Sequence, residues 1–304
     1  MSGERAAAKG VVQRLYDMAW LMMVLPPLFW AGNSIVGRAL AGTVPPVSLA
    51  FWRWVLGALL VLPFAWPHLR RDWPLIKQHW LFLIPAAFLG VSCFNTMLYI
   101  GLNSTTAVNA VILQTTMPVL VTILAAVLLN ERAGSAQIAG LALSFGGSAV
   151  LVAAGDPARL LNLAFNPGDL WVLAAVVAYA LYTILVRRRP AMHPLSFVAA
   201  TFVLGAVGLS PAWAWEYATV GGMPLNGDTL AALAYVATLP SIVAYLCFNR
   251  AVQLLGPAKA GFSIYLILVF GVIFAVTLLD EQLQIYHGAG VALIVGGVAF
   301  ANRR

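Results

Sequence analysis

Polar and aromatic side chains that stand inside long apolar segments are the groups in this 304-residue sequence that could do chemistry. Such side chains are costly in lipid unless they pair or line a wet cavity. Amides and rings suit a flat organic ligand, because rings pack edge to face and a cationic amine rests on a π face. The candidates for binding a small molecule are Trp30, Asn33, Asn95, Tyr99, Gln114, Tyr179, Tyr182, Tyr245, Asn249 and Tyr265. The alternative for each is hydrogen bonding between helices by the amides and interfacial anchoring by the rings.

Eight of these candidates recur at a fixed offset along the chain. Two pairs, spaced three or four residues apart and so on one helix face each, are matched 149 or 150 residues later: Trp30 and Asn33 by Tyr179 and Tyr182, and Asn95 and Tyr99 by Tyr245 and Asn249. Four helices would therefore present amide or ring groups to one shared space.

A second group of residues has the chemistry of gating or of structural support. Arg53 lies within an apolar segment, about 9 Å from its start at 1.5 Å per residue. It could snorkel, bind a structural partner or attract a carboxylate. Glu131 and Glu281 end matching segments, where they could accept helix-end hydrogen bonds, form gate-locking pairs or bind protons. Prolines inside apolar segments permit kinks, either as hinges or fixed by packing; these are Pro26, Pro27, Pro118 and Pro240.

These side chains need elements that cross a membrane. The sequence is 62% hydrophobic and 9% charged, with a mean hydropathy of +0.91, so it could not cover a water-facing surface. Its apolar segments are long enough for membrane-spanning helices and too long for barrel strands. They fall at about 19–37, 47–66, 80–102, 105–129, 136–155, 169–186, 195–215, 229–249, 258–279 and 285–301. We therefore predict an all-α integral membrane protein with ten transmembrane helices.

The basic residues predict the orientation of those helices. Of the 17 Lys and Arg residues, all except Arg38, Arg53 and Arg159 fall on one side of the ten predicted spans. Because basic residues collect on the cytoplasmic side, both termini are expected in the cytoplasm. The net charge of +7 is spread between apolar blocks, which indicates topology and not nucleic-acid binding.

The chain also resembles itself at a period near 150. Leu129-Asn130-Glu131 matches Leu279-Asp280-Glu281, and Gly146-Gly147 matches Gly296-Gly297. The predicted organisation is a cytoplasmic tail over 1–18 and two five-helix repeats over 19–155 and 169–303. Because five is odd, the second repeat should enter the membrane from the opposite face, as in inverted-repeat transporters.

These motifs resemble the drug/metabolite transporter superfamily and its EamA-type repeat. Trp30-Ala31-Gly32-Asn33-Ser34 is similar to the family's first-helix signature, and Leu129-Asn130-Glu131 to the glutamate signature after the fourth helix. Within the superfamily, the chain is most similar to YddG-type exporters of aromatic amino acids. The resemblance implies an inner-membrane exporter whose central cavity is lined by the first, third and fourth helices of each half. Arg53 is matched by Thr201 in the second half, so no symmetric arginine role follows.

Catalytic motifs are missing from the sequence. It has no HExxH and no GxxxxGK[ST], which are the zinc-protease and phosphate-loop patterns. Cys93 and Cys247 each lie in an apolar run, which indicates neither a disulfide framework nor a metal site. We expect no enzyme, no cofactor and no metal, and as partners a small-molecule substrate, most prominently an amino acid, and the lipid bilayer, in a monomer or weak homodimer. The alternatives are export of other metabolites, organic cations or drugs, and a channel-like facilitator.

Overall fold

The part of the chain that the computed structural model describes, residues 14–105, 107–154, 156, 158–161, 166–278 and 282–302, contains helices and no strand. Within those residues nine helices are long and apolar enough to cross a membrane. A further apolar helix, Ile285–Ala301, is shorter, at 17 residues. The expectation of an all-helical membrane protein is confirmed; a tenth crossing stays a prediction.

Six of these ten helices, the shorter one included, are continuous. They are α1 (Ala19–Ala39), α2 (Pro46–Gln78), α5 (Ser135–Ala153), α6 (Pro167–Arg187), α7 (Pro194–Val220) and α10 (Ile285–Ala301). Proline stands at the first position of α2, α6 and α7, where its missing N–H costs no hydrogen bond. A short helix, Ala158–Leu161, lies between α5 and α6.

The other four helices are interrupted. In α3 a π-helical turn, Phe88–Cys93, joins Trp80–Ala87 to Phe94–Ser104, and in α8 a π-helical turn, Thr238–Val243, joins Gly227–Ala237 to Ala244–Leu255. Helix α4 consists of Ala107–Thr115 and Met117–Leu129. Helix α9 consists of Pro257–Phe262, a 3-10 turn at Ser263–Tyr265, and Leu266–Leu278.

Helix α2 runs for 33 residues and ends well beyond the apolar segment that predicted it. The apolar segment ends at about residue 66, whereas the helix continues to Gln78. The extension is amphipathic: the Arg70 guanidinium lies 5.0 Å from the Trp66 ring, and the Lys77 ammonium lies 5.5 Å from the Trp73 ring. Both pairs are four residues apart and so share a helix face. These cation–π pairs support a helix that continues past its apolar part.

Helices α2 and α7 pack together and cap each other's first turns. The Glu216 carboxylate accepts hydrogen bonds from the Val47 and Ser48 backbone N–H groups, at 3.0 and 2.6 Å. In turn, Asp72 accepts one from the His193 N–H at 2.8 Å. A carboxylate at a helix N-terminus satisfies unpaired N–H groups and complements the helix dipole. The two helices are therefore antiparallel and joined at both ends.

Helices α5 and α10 meet backbone to backbone. A Cβ added at Gly140 would lie 2.5 Å from the Gly297 carbonyl oxygen, and one at Gly147 would lie 2.8 Å from the Gly290 oxygen. Small residues permit such close approach between membrane helices. Because Gly140 meets Gly297 and Gly147 meets Gly290, α5 and α10 are antiparallel.

The first helices of the two halves are exchanged. Helix α1 packs mainly against α8 and α9, while α6 packs mainly against α3 and α4. Most of these interfaces belong to one apolar core. Contacts between α1 and α3, which are close in sequence, are fewer. The central side chains therefore come from both halves.

Candidate functional site

A cavity lies where α1, α3 and α4 of the first half meet α6 and α9 of the second. Its enclosed volume is about 20 Å³, room for about one water molecule, and counting the open solvent at its mouth raises the figure to about 330 Å³. The lining residues come from five helices: Trp30, Asn33, Ser34, Phe94, Leu98, Gln114, Met117, Tyr179, Ile264 and Ile267. Four of the predicted residues, Trp30, Asn33, Gln114 and Tyr179, are thus brought to one cavity. Of the six helices that the resemblance implied, five contribute lining residues. The sixth, α8, contributes none and contacts the lining residue Trp30 through the Pro240 carbonyl.

Three aromatic rings form one wall of the cavity. The Trp30 and Tyr179 rings meet edge to face with centroids 5.5 Å apart, and the Phe94 ring lies 4.4 Å from that of Tyr179. The Trp30 indole donates from Nε1 to the Pro240 carbonyl oxygen at 3.0 Å. The Tyr179 hydroxyl is buried and has no hydrogen-bond partner among the described residues. Packing and the Trp30 hydrogen bond therefore hold the wall, and the Tyr179 hydroxyl makes no hydrogen bond to the described residues.

Arg53 lies behind this wall with its side chain fully buried, at 0% exposure. Snorkelling to the membrane surface, one of the alternatives considered for it, is therefore wrong. Its guanidinium is held by neutral acceptors from α1, α3 and α8 at 2.7 to 3.1 Å. They are the side-chain oxygens of Asn33, Asn95, Tyr99 and Ser241 and the Pro240 carbonyl. Arg53 thus joins α2 to helices of both halves.

A tyrosine–asparagine hydrogen bond recurs in the two halves. In the first half the Tyr99 hydroxyl donates to Asn33 Oδ1 at 2.7 Å. In the second, the Tyr182 hydroxyl donates to Asn249 Oδ1 at 2.9 Å. Asn33 matches Tyr182 at an offset of 149 and Tyr99 matches Asn249 at 150, so the same two positions pair with the residue types exchanged. The sequence pattern predicted these faces, and the structure shows that they bond to each other.

The π-helical turns also recur at an offset of 150, and sequence reasoning missed them. Gly90 and Pro240 occupy matching places in the two turns. The Tyr245 hydroxyl donates to the Gly90 carbonyl, and the Pro240 carbonyl accepts from both Trp30 and Arg53. Turns of this kind free backbone groups and are frequent at functional sites. A glycine matched by a proline, both poor helix formers, was the available signal.

Tyr265 is not placed with the other candidates. Its ring is buried in a separate apolar cluster with Phe262, Leu266 and Ile294, and its hydroxyl has no partner among the described residues. From the same helix, Ile264 and Ile267 reach the cavity instead. A role for Tyr265 in binding stays a prediction.

The predicted gating residues have distinct surroundings. Glu131, at the end of α4, pairs with Arg187 at the end of α6 at 2.8 Å, with both side chains 37% exposed. Glu281 lies outside the described residues. Pro26 and Pro27 are buried inside the continuous helix α1, whereas Pro118 is the second residue of the second part of α4. Whether any of them moves stays a prediction.

A buried carboxylate at the start of α6 escaped the sequence reasoning. Asp169 accepts from the Asn166 backbone N–H at 2.8 Å, from Asn109 Nδ2 at 3.0 Å and from the Thr105 hydroxyl. These bonds tie α6 to the end of α3 and to α4. The available signal was Asn166-Pro167-Gly168-Asp169, a capping pattern before an apolar run.

Ligands for a metal ion are not gathered anywhere in the described ranges, where no three His, Cys, Asp or Glu side chains lie close enough together. The chemistry on offer at the cavity is aromatic packing, amide hydrogen bonding and the charge of Arg53.

Comparison with known proteins places the chain in a family. A family model described as the EamA-like transporter family matches residues 17–153 and again residues 166–303. The chain belongs to the EamA-like transporter family. The two matches show that the repeat seen in the sequence is the family's own repeat. This EamA-family chain is therefore a multi-pass membrane transporter.

Relatives of this EamA-family chain include other transporters matched over nearly their full length. A probable terminal-alkyne amino-acid exporter of Streptantibioticus cattleyicolor is 31% identical, covering 90% of this chain and 86% of its own. An uncharacterized transporter of Archaeoglobus fulgidus is 29% identical, covering 91% and 95%. A solved crystal structure superposes with a TM-score of 0.75 at 20% identity, covering 93% of this chain and 96% of its own, which supports the fold alone.

Proposed function

We propose that this protein exports small metabolites, most prominently amino acids with aromatic side chains, from the cytoplasm across the inner membrane. The observation that carries the proposal is the cavity between helices of both halves, where an aromatic wall stands next to amide groups. Sites of this kind, between repeats, are where secondary transporters bind their substrates.

The walls of the cavity favour a ring-bearing amino acid. A planar side chain can pack edge to face against Trp30 and Tyr179, whose rings already adopt that geometry with each other. Asn33 and Gln114 offer amide groups to the polar end of such a ligand. The relative named as an amino-acid exporter supports the amino-acid class, and the aromatic preference rests on the cavity walls.

The proposed topology is ten crossings in two inverted five-helix repeats, over 19–155 and 169–303, with both termini in the cytoplasm. Helix α10, with 17 residues, would span about 26 Å, somewhat less than a hydrocarbon core of about 30 Å. Its antiparallel packing along α5 supports a crossing. The test labels single cysteines at positions 104 and 223, in a background lacking Cys93 and Cys247, with an impermeant thiol reagent. Both should react from the periplasm, and labelling from different compartments would refute the topology.

Alternating access would move two bundles that do not coincide with the sequence halves. Helix α6 is tied to the first half at both ends, by Asp169 at its start and by Arg187 at its end. The segment before α1 is tied to α8 through Asp17 and Arg250. We propose that α6 moves with α3 and α4, that α1 moves with α8 and α9, and that the cavity opens between these bundles.

Counterflow in proteoliposomes with a panel of labelled amino acids tests the proposal. Gln114→Ala is the informative variant, since Gln114 lines the cavity and its one bond to the described residues is local, from Nε2 to the Ala110 carbonyl at 3.2 Å. Loss of one ligand hydrogen bond should lower counterflow about tenfold. Gln78→Ala, the same change at the exposed end of α2, is the matched control. Counterflow of sugar phosphates but of no amino acid would overturn the substrate class.

A further inference from the structure

The positive charge of Arg53 has no negative partner in the described structure. All five of its hydrogen bonds go to neutral oxygen atoms. The ion pairs among the described residues join Glu131 to Arg187 and Asp17 to Arg250, and neither includes Arg53. Trp54, whose ring lies 4.8 Å from the guanidinium carbon, carries no net charge.

The buried carboxylates are already engaged at helix ends. Glu216 binds Ser48, which precedes Arg53 by five residues, or about 7.5 Å along α2. Asp169 and Asp72 are bonded at the starts of α6 and α7. Hydrogen bonds to neutral oxygens satisfy the donors of a guanidinium but leave its net charge in place. The electric field of the Arg53 charge therefore extends into its surroundings. Because the protein interior there is apolar, it screens this charge only weakly.

The cavity lies within reach of this field. Asn33 lines the cavity and accepts from Arg53 Nη1 at 2.8 Å, so a ligand atom bonded to Asn33 would lie about 6 Å from the guanidinium. A cationic ligand would meet repulsion there, and a carboxylate would be attracted.

We propose that Arg53 gives the cavity a charge preference, so that it accepts ligands bearing a carboxylate and rejects organic cations. The guanidinium acts through its field and through Asn33, without leaving its hydrogen bonds. This inference rests on the proposed export function and narrows its substrates to carboxylates, either zwitterionic or anionic. At about 6 Å and an effective dielectric constant near 20, attraction of one negative charge and repulsion of one positive charge should each change affinity by about 100-fold, so the preference should be at least about 100-fold.

The test uses three compounds with one ring and different charges. L-phenylalanine is zwitterionic, 3-phenylpropanoate lacks its ammonium group, and 2-phenylethylamine lacks its carboxylate. Each competes, unlabelled, with the counterflow of labelled L-phenylalanine into proteoliposomes of the wild-type protein. We expect both carboxylates to compete, and the amine to need at least about 100-fold more compound for half inhibition. An amine that competes within about threefold of 3-phenylpropanoate would overturn the proposal.

Variants at Arg53 assign the preference to its charge. Arg53→Gln should bring the amine and 3-phenylpropanoate within about threefold of each other, whereas Arg53→Lys should keep them apart. Arg70→Gln is the matched control, because it removes an arginine from the exposed end of the same helix. A preference that survives in a correctly folded Arg53→Gln protein would overturn the assignment.

The outcomes separate this inference from the proposed function. Counterflow of L-phenylalanine with no charge preference overturns the inference and leaves the export function standing. Absence of counterflow with every amino acid overturns the export function, and the preference with it. If Arg53→Gln fails to fold, as judged by size-exclusion chromatography, the wild-type compound series still decides whether the cavity prefers carboxylates.

Discussion

Replacing Gly90 by alanine perturbs the π-helical turn of α3 where it meets the second half. A Cβ at this position would lie 2.6 Å from both Cγ and Cε2 of the Tyr182 ring. The ring is fully buried, at 0% exposure, and its hydroxyl is held by Asn249. It cannot swing into open space, so the ring or the turn must shift by close to 1 Å to reach ordinary contact.

The expected cost follows from these contacts. Overpacking a tight interior costs about 1 to 3 kcal/mol. Loss of the Tyr182–Asn249 hydrogen bond adds about 0.6 to 1.7 kcal/mol in a membrane protein. Against this, alanine in place of glycine favours a helix by about 0.5 to 1 kcal/mol. We therefore expect Gly90→Ala to lower the free energy of unfolding by about 1 to 4 kcal/mol.

Equilibrium unfolding by SDS in mixed micelles measures this free energy. Gly146→Ala, in α5, is the matched control, because a Cβ there would meet no atom within 4 Å. It should be neutral or slightly stabilising. Tyr182→Phe removes the hydrogen bond alone, so a larger loss in Gly90→Ala reports the clash with the ring. Equal stability of the two alanine variants would refute the packing of Tyr182 on Gly90.

Three further predictions concern helix ends. Glu131→Gln breaks the ion pair to Arg187 at the end of α6 and should increase the labelling of buried Cys247 by a thiol reagent added from the cytoplasmic side. Unchanged labelling would contradict the hypothesis that this ion pair closes the cytoplasmic side. Glu216→Gln should lower the free energy of unfolding by about 1 to 3 kcal/mol in the same SDS titration, since a charged acceptor is lost from the first turn of α2; no change would argue against the cap. Partial burial and the neighbouring His68 lower the pKa of His193, so its neutral form is favoured in the fold and stability should fall as the pH drops through that lowered pKa. Thermal unfolding of the wild-type protein and of His193→Gln between about pH 7.5 and 5 should show an unfolding temperature that depends less on pH in the variant. Equal pH dependence in the two proteins would refute the role of His193.

The sequence predicted the helices better than their contacts. Apolar segments and their repeat were sufficient for an all-helical membrane protein of this family, because lipid leaves few other backbone arrangements. Trp30 and Asn33 were predicted on one face, and both line the cavity. Tyr265 was predicted from its depth in the ninth segment, which does not fix the helix face; a 3-10 turn at Ser263–Tyr265 changes the angular step, and Ile264 lines the cavity instead.

The partners of Arg53 could not be read from the sequence. Its acceptors lie between 20 and 188 residues away, and several depend on the exchange of α1 and on the π-helical turn at Pro240. Polarity alone favoured snorkelling or a structural partner and left carboxylate attraction open. Only the tertiary packing removes the first of these.

The exchange of first helices has a consequence for how the molecule is made. Helix α1 ends at Ala39, and α8, against which it packs, begins at Gly227, about 190 residues later. At translation rates of about 5 to 20 residues per second, α1 would wait roughly 10 to 40 s in the bilayer before its neighbours emerge. Helix α6, by contrast, finds α3 and α4 already inserted. The two repeats therefore complete their packing at different times. The first repeat lacks the neighbours of its first helix until the second repeat has been inserted.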